Sequence, residues 1–525
     1  MYVHDEVGER LIVSSGAVEA HASSSKSLSN TLILVILTVL YLAVISISIG
    51  RHLWLDELLT YHLANLPTIR EMFRAAWRFD LNPPLFHLLA RAGFWFAGGN
   101  PIGVRFPSVV EFFLSGVLLF FYARRKMGPL FGALPVLLLW YGPMSQFATE
   151  ARPYAALCFW FCALLLLWDT AIHQSERRGT LWLAIAVCST GLLTSHVFGT
   201  LTIFAFLCAE AVRFYATRRP DWPLWAALFA PMALTAFYIP LFVSYGRAGQ
   251  FPLDFQASPR KLAGFYWNNF TGVVLCFGVM ALAVVAARRR PVAVSSARKR
   301  EAVSAPEFIL FAAQALVPVL LTAVFMLQHG AFWGRYCITS LIALYFLASY
   351  ALRVVANASD DAGQWAFWAA SVLVFAHGFV WPLWRQTTDP VPASAAALEN
   401  VRPELPLAAA SGLTFIEMGQ YESPRLLDRL YYLQDQSAAL RIAHASMFND
   451  LADIQQRFHL PGHVVPYASF MRDHKDFLVL ATPGYPEDWL VRKLEEDGAR
   501  VQPIGRYQIP YKDTQLFEVQ PRMSR

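Results

Sequence analysis

Apolar stretches long enough to cross a bilayer recur along this chain from about Thr31 to Trp384 and then stop. The first, Thr31–Ile49, is unbroken by charge and at ~1.5 Å per residue matches a ~30 Å hydrocarbon layer. In hydrocarbon the backbone must satisfy its own polar groups, so runs of this kind fold as helices. Further spans are predicted at about 105–122, 129–142, 153–170, 181–195, 197–212, 224–243, 265–287, 308–327, 337–352 and 365–384, making about 11 transmembrane helices. Composition agrees. The 525 residues are 56% hydrophobic and only 15% charged, with a mean hydropathy of +0.40, where a soluble surface would need more charge. The predicted fold class is a membrane α-helical polytopic bundle (31–384) with external juxtamembrane helices. A cytoplasmic tail (1–30) precedes it, and a C-terminal α/β soluble domain (385–525) follows.

Residues 1–30 are polar, and the run after them is too long for a signal-peptide core, so it reads as a retained first helix. The segment Pro84–Gly98 is short, with His87 and Arg91 a turn apart, which suits a helix lying at the interface. If it does not cross, one side collects Arg124-Arg125-Lys126, Arg177-Arg178, Arg218-Arg219, the block Arg288 to Arg300, and Arg353. The positive-inside rule makes that side the cytoplasm, with the N-terminus on it and the C-terminal domain periplasmic. The external loop 51–104 is itself basic, an exception that long loops allow. The net charge of +6 is then a matter of topology, and no nucleic-acid partner is implied. All six cysteines lie in or beside apolar runs, with no CxxC pattern and no disulfide framework.

That topology gathers the chemistry-bearing residues on the external side. Directly after the first helix come Asp56 and Glu57, adjacent carboxylates suited to general-base work or to a divalent ion such as Mg or Mn. The same pair would also suit a helix start, where the dipole favours acids. Arg74, Arg78 and Asp80 follow in the same loop, with Asp80 beside Asn82-Pro83-Pro84. Glu150 and Arg152 precede a span, and a guanidinium there suits an anionic headgroup as well as a plain salt bridge. His196 stands where two apolar runs meet, and Arg335-Tyr336 opens another span. Glu111, inside an apolar run, should face the protein interior.

In this order Trp54-Leu55-Asp56-Glu57, Asn82-Pro83-Pro84-Leu85, Arg105-Phe106-Pro107-Ser108, Glu150-Ala151-Arg152-Pro153-Tyr154, Ser195-His196 and Arg335-Tyr336 are present. The set resembles the bacterial relatives of the dolichyl-phosphate-mannose protein mannosyltransferases, including the aminoarabinose transferase and the rhizobial galacturonosyltransferases. These belong to the glycosyltransferase C superfamily, and the resemblance covers about residues 31–350. It implies a polyprenyl-phosphate-linked sugar donor, a membrane-lipid environment, a glycan, lipid or protein acceptor, and inversion at the anomeric carbon. It also implies that Asp56 is the key carboxylate, with Glu57 beside it. Asn82 stands where such enzymes often carry histidine.

Beyond Val391, residues 406–418 and Phe477–Ala481 read as buried strands, with a helix from Pro486 to about Gly498 and a closing hairpin at 500–520. His444, His459 and His463 read as surface residues. The alternative to an enzyme is a transporter or flippase of a lipid-linked substrate. Transporters usually place charge at the bilayer midplane between repeated halves, whereas here the charges cluster at one boundary and no internal repeat is visible.

Overall fold

The computed structural model describes residues 28–80, 82–173, 178–240, 255–288, 302–328, 330–356, 359–388, 395–444, 448–482, 489–509 and 512–520. Several expectations lie outside these residues: the tail before residue 28, Arg177, the basic block from 289 to 300, residues 244–254 of the external loop, and the Pro486–Asp488 helix start.

Among the described residues each expected span falls on helix, and seven helices are long and apolar enough to cross a membrane. They are Asn30–Ser48, Pro101–Met127, Tyr154–His173, Gly199–Thr217, Ala305–Gln328, Gly334–Val355 and Asp360–Arg385. Pro129–Tyr141, Gly179–Ser195 and Trp222–Tyr238 are shorter apolar helices, and Pro259–Arg288 is a separate helix of 30 residues. The chain is a multi-pass membrane protein by these segments. Pro84–Phe96 is a helix of 13 residues, about 20 Å at the α-helical rise and too short to span. It packs on the Leu55–Asn65 helix and on the 3₁₀ turn Pro101–Arg105. A Cβ at Gly93 would stand 2.4 Å from the Gly103 carbonyl oxygen, so this close approach needs glycine.

At the end of the bundle opposite Asp56, charge is buried in pairs. Lys126 is fully buried between Asp169 (2.9 Å) and Glu307 (2.8 Å), and the Tyr122 hydroxyl donates to Glu307 at 2.8 Å. Three helices are joined there. Lys126 counts toward the basic cluster read from sequence, but its charge is spent inside the protein. Glu111 is buried as expected.

The C-terminal domain holds a six-stranded mixed sheet of β1 (Leu407–Ala409), β2 (Leu430–Gln434), β3 (His463–Pro466), β4 (Phe477–Ala481), β5 (Arg500–Ile509) and β6 (Lys512–Gln520). The order is β3-β2-β1-β4-β6-β5. The β3-β2-β1-β4 part is parallel, and β6 is antiparallel to β4 and β5. Strand β4 and the hairpin match expectation. Residues 412–418 do not: the Ser411 side chain accepts from the Leu413 amide and starts a helix, Gly412–Tyr421. An apolar run of that length suits a buried helix as well as a strand, and the cap decided. His444, His459 and His463 are exposed.

Candidate active site

The Leu55–Asn65 helix starts on Trp54, so Asp56 and Glu57 occupy its second and third positions. Successive helical residues point about 100° apart, which separates the neighbouring carboxylates. Glu57 turns inward and is fully buried. Arg105 Nε and Nη2 donate to its two oxygens at 2.8 Å each, and the Ala151 amide donates to Oε1 at 2.9 Å. Arg105 also donates to the carbonyls of Ile49 (2.6 Å), Arg51 (2.6 Å) and His52 (3.0 Å). The structure therefore places Glu57, expected to act beside Asp56, inside this clamp and turned away from Asp56. Its oxygens are consumed in holding the 49–57 turn, and the adjacent pair does not converge on one divalent ion. Among the described residues no group of three or more His, Cys, Asp or Glu side chains is arranged to hold a metal.

Asp56 points the other way and stays partly open, with 20% of its side chain exposed. Arg335 Nη1 donates to its Oδ2 at 3.1 Å, and Arg152 Nε stands 3.7 Å from the same oxygen. Among the described contacts Oδ1 is not engaged. Arg152 is delivered there because the 150–152 segment is stitched to the helix from both sides. The Ala151 amide donates to Glu57, and the Thr60 hydroxyl donates to the Ala151 carbonyl at 3.1 Å. Arg152 Nη1 also donates to Asp80 Oδ1 at 2.7 Å, while His87 Nε2 lies 2.9 Å from Asp80 Oδ2. Asn82 donates to Asp80 Oδ2 at 3.1 Å. Burial alone would raise the Asp80 carboxyl; Arg152 and His87 outweigh it and hold that group well below the usual carboxylate range. Asp80 thus stays ionised and locks Arg152.

Arg335 sits among the rings of Trp333 (4.9 Å), Trp54 (5.6 Å), Tyr154 (5.8 Å) and Tyr336 (5.9 Å). His196 packs against Tyr154, Tyr336 and Phe198. Burial, and then Arg152, press its pKa down to about 3, so the ring is neutral. Its Nδ1 accepts from the Phe198 amide at 3.1 Å, which puts the proton on Nε2 as a donor. Arg51 Nε and Nη2, Trp54 Nε1, Arg152 Nε and Arg335 Nε are buried N–H groups without an acceptor among the described residues. Burying unpaired donors is costly, and two of these, Arg152 Nε and Arg51 Nη2, stand within ion-pair distance of the carboxylates of Asp56, Glu57 and Glu150.

Glu150 is buried with its Oε1 3.6 Å from Arg51 Nη2. Burial pushes its pKa up to about 7, against the pull of Arg51. A carboxyl raised on folding binds protons more tightly in the native state, so stability falls as pH rises from its ordinary value towards 7. Wild-type protein should therefore lose thermal stability relative to Glu150→Gln between pH 5 and pH 8. Parallel melting curves for the two proteins over that range would refute the assignment.

The structure separates Arg74 and Arg78 from this group. Both are exposed on the Ile69–Phe79 helix, and Arg78 pairs with Asp453 of the C-terminal domain. With both partners about half exposed, such a pair is worth no more than ~1 kcal/mol. Arg78→Ala should accordingly leave any activity of the site within about twofold of wild type, a small effect of the size expected for an exposed pair. Sequence reading missed His87, Arg51, Trp54 and Arg105 as parts of the site. A signal existed for two of them: a histidine just inside a helix opened by Pro83-Pro84, and an arginine heading an apolar helix.

No family model matches the chain, and no curated protein matches it. Two solved structures are similar along its length: the crystal structure of ArnT from Cupriavidus metallidurans bound to undecaprenyl phosphate, and that of ArnT from the same organism in the apo state. The first is 16% identical with a TM-score of 0.46, the second 15% identical with a TM-score of 0.49. Each match covers 93% of this chain and 97% of the other.

Proposed function

We propose that this protein is an inverting glycosyltransferase. It moves a sugar, hexosyl or pentosyl, from a polyprenyl-phosphate-linked donor to a hydroxyl of a lipid, glycan or protein acceptor. The reaction takes place on the outer face of the bacterial inner membrane, with the N-terminus cytoplasmic and the C-terminal domain periplasmic. The observation that carries the reading is a partly open carboxylate, Asp56, held on one oxygen by the half-buried Arg335 and flanked on the same oxygen by the buried Arg152. The reaction needs a phosphate-binding cation and a proton acceptor side by side, and the arginines and Asp56 supply them.

In the single displacement, the acceptor oxygen attacks the anomeric carbon as the bond from that carbon to the phosphate oxygen breaks. Asp56 Oδ1 takes the hydroxyl proton, and the polyprenyl phosphate leaves with the electron pair. Arg335 and Arg152 stabilise the charge that grows on the departing phosphate, with the Nε2–H of His196 and the Tyr336 hydroxyl as further polar contacts. Asp80 and His87 hold Arg152 in place, and Glu150 lines the polar pocket. We assign no step to a divalent cation (Mg or Mn); Asp56 Oδ1 and the donor phosphate are where one would bind.

Purified protein incubated with a radiolabelled polyprenyl-phosphate sugar and envelope acceptors tests the proposal. Labelled acceptor together with free polyprenyl phosphate is expected. Movement of intact donor across proteoliposome membranes without cleavage would favour the transporter alternative and end this reading.

A further inference from the structure

We infer that the C-terminal domain is a positioning element of the active site, acting through the two backbone segments that end in Asp56 and Asp80. What the site does rests on the proposal above; the contact itself does not. The domain touches the first segment through Tyr421, the last residue of the Gly412–Tyr421 helix. The Leu53 amide donates to the Tyr421 hydroxyl at 2.6 Å, and the His52 ring stacks on the tyrosine at 4.2 Å and 10°. Leu53 and Leu58 are buried in one cluster with Leu413 and Ile416 of that domain.

Arg105 holds the same turn from the membrane side, through the carbonyls of Ile49, Arg51 and His52. The segment that aims Asp56 is thus gripped by carbonyls on one side and by an amide on the other. Without Tyr421, the Leu53 amide loses the hydroxyl it donates to and the His52 ring loses this stacking neighbour.

The second segment is held by Phe458, which closes the Leu451–Phe458 helix. Its ring stands 5.6 Å from His62 and 5.9 Å from Phe79, and it packs on the apolar cluster of Leu63, Met72 and Ala76. Phe79 is the neighbour of Asp80, the residue that fixes Arg152. One soluble domain therefore bears on both carboxylates that set the arginine pair. Neither Tyr421 nor Phe458 reaches the reacting atoms; both are positioning residues.

The test uses full-length wild type, Tyr421→Phe, Tyr421→Ala and Phe458→Ala in detergent. It measures kcat and KM for a polyprenyl-phosphate sugar together with amide hydrogen exchange over residues 49–57. Tyr421→Ala should lower kcat by about tenfold or more, as expected for displaced reacting groups, with KM within about twofold. Exchange over 49–57 should quicken in the same variant. Tyr421→Phe keeps the ring, loses the hydroxyl and should fall between. Phe458→Ala should lower kcat with exchange quickened over 69–80. A purely structural role would reduce the yield of folded protein and leave kcat per folded molecule unmoved.

If Tyr421→Ala fails to fold, Tyr421→Phe carries the same comparison. Wild-type kcat, or unchanged exchange, in the folded variants overturns the inference. A wild type without turnover removes the transferase reading alone, and the positioning role then stands or falls on the exchange.

Discussion

Asp56→Asn should abolish sugar transfer, by at least about 10²-fold, while the protein still folds and still binds its donor. Asparagine keeps the shape, and its side-chain oxygen can accept from Arg335 where Oδ2 does now at 3.1 Å. What it cannot do is receive the acceptor's proton. Folding should survive because the carboxylate is partly open and Arg152 keeps its stronger partner Asp80 at 2.7 Å. Donor binding should hold or tighten, since one negative charge beside the phosphate is gone. The measurement is transfer rate and donor affinity on the same preparation. Wild-type turnover in this variant would remove Asp56 as the base, and loss of donor binding would make it a binding residue instead.

Arg105→Leu should behave in the opposite way, as a folding defect. It leaves the Glu57 carboxylate buried without its cation and strips donors from three backbone carbonyls. Breaking a buried pair from one side costs about 3–5 kcal/mol, enough to consume much of the stability of an ordinary domain. The variant should melt far below wild type in detergent or fail to accumulate. Adding Glu57→Met should recover part of the loss, because an apolar pair no longer strands a charge. A single variant that melts like wild type would show that the clamp contributes little. The contrast between these two predictions is the contrast between neighbouring acids: in the proposed mechanism Asp56 serves chemistry, and Glu57 holds the loop that presents it.

Much of the architecture was legible in advance because a bilayer leaves few options. Apolar runs near twenty residues must be helices, and among the described residues each expected span falls on helix. The short stretch after Pro83-Pro84 is likewise a helix too short to cross. Of the residues singled out, Asp56, Asp80, Arg152, His196, Arg335 and Tyr336 come together, and Glu150 lies beside them. Arg74 and Arg78 face away, because on an amphipathic helix the polar side goes wherever the apolar side does not. In the C-terminal domain β4 and the hairpin were readable, whereas residues 412–418 followed the Ser411 cap into a helix.

Residue order alone makes this chain a helical membrane protein and concentrates its acidic and basic residues between particular spans. Hydrophobic length and charge placement are local quantities, and local quantities can be read from order alone. Which acid meets which arginine is a matter of how the helices pack. Glu57 and Arg105 are 48 positions apart and Asp56 and Arg335 are 279 apart. Those meetings depend on how helices cross and on which side of one turn each carboxylate points. Packing sets both, and no single segment encodes it.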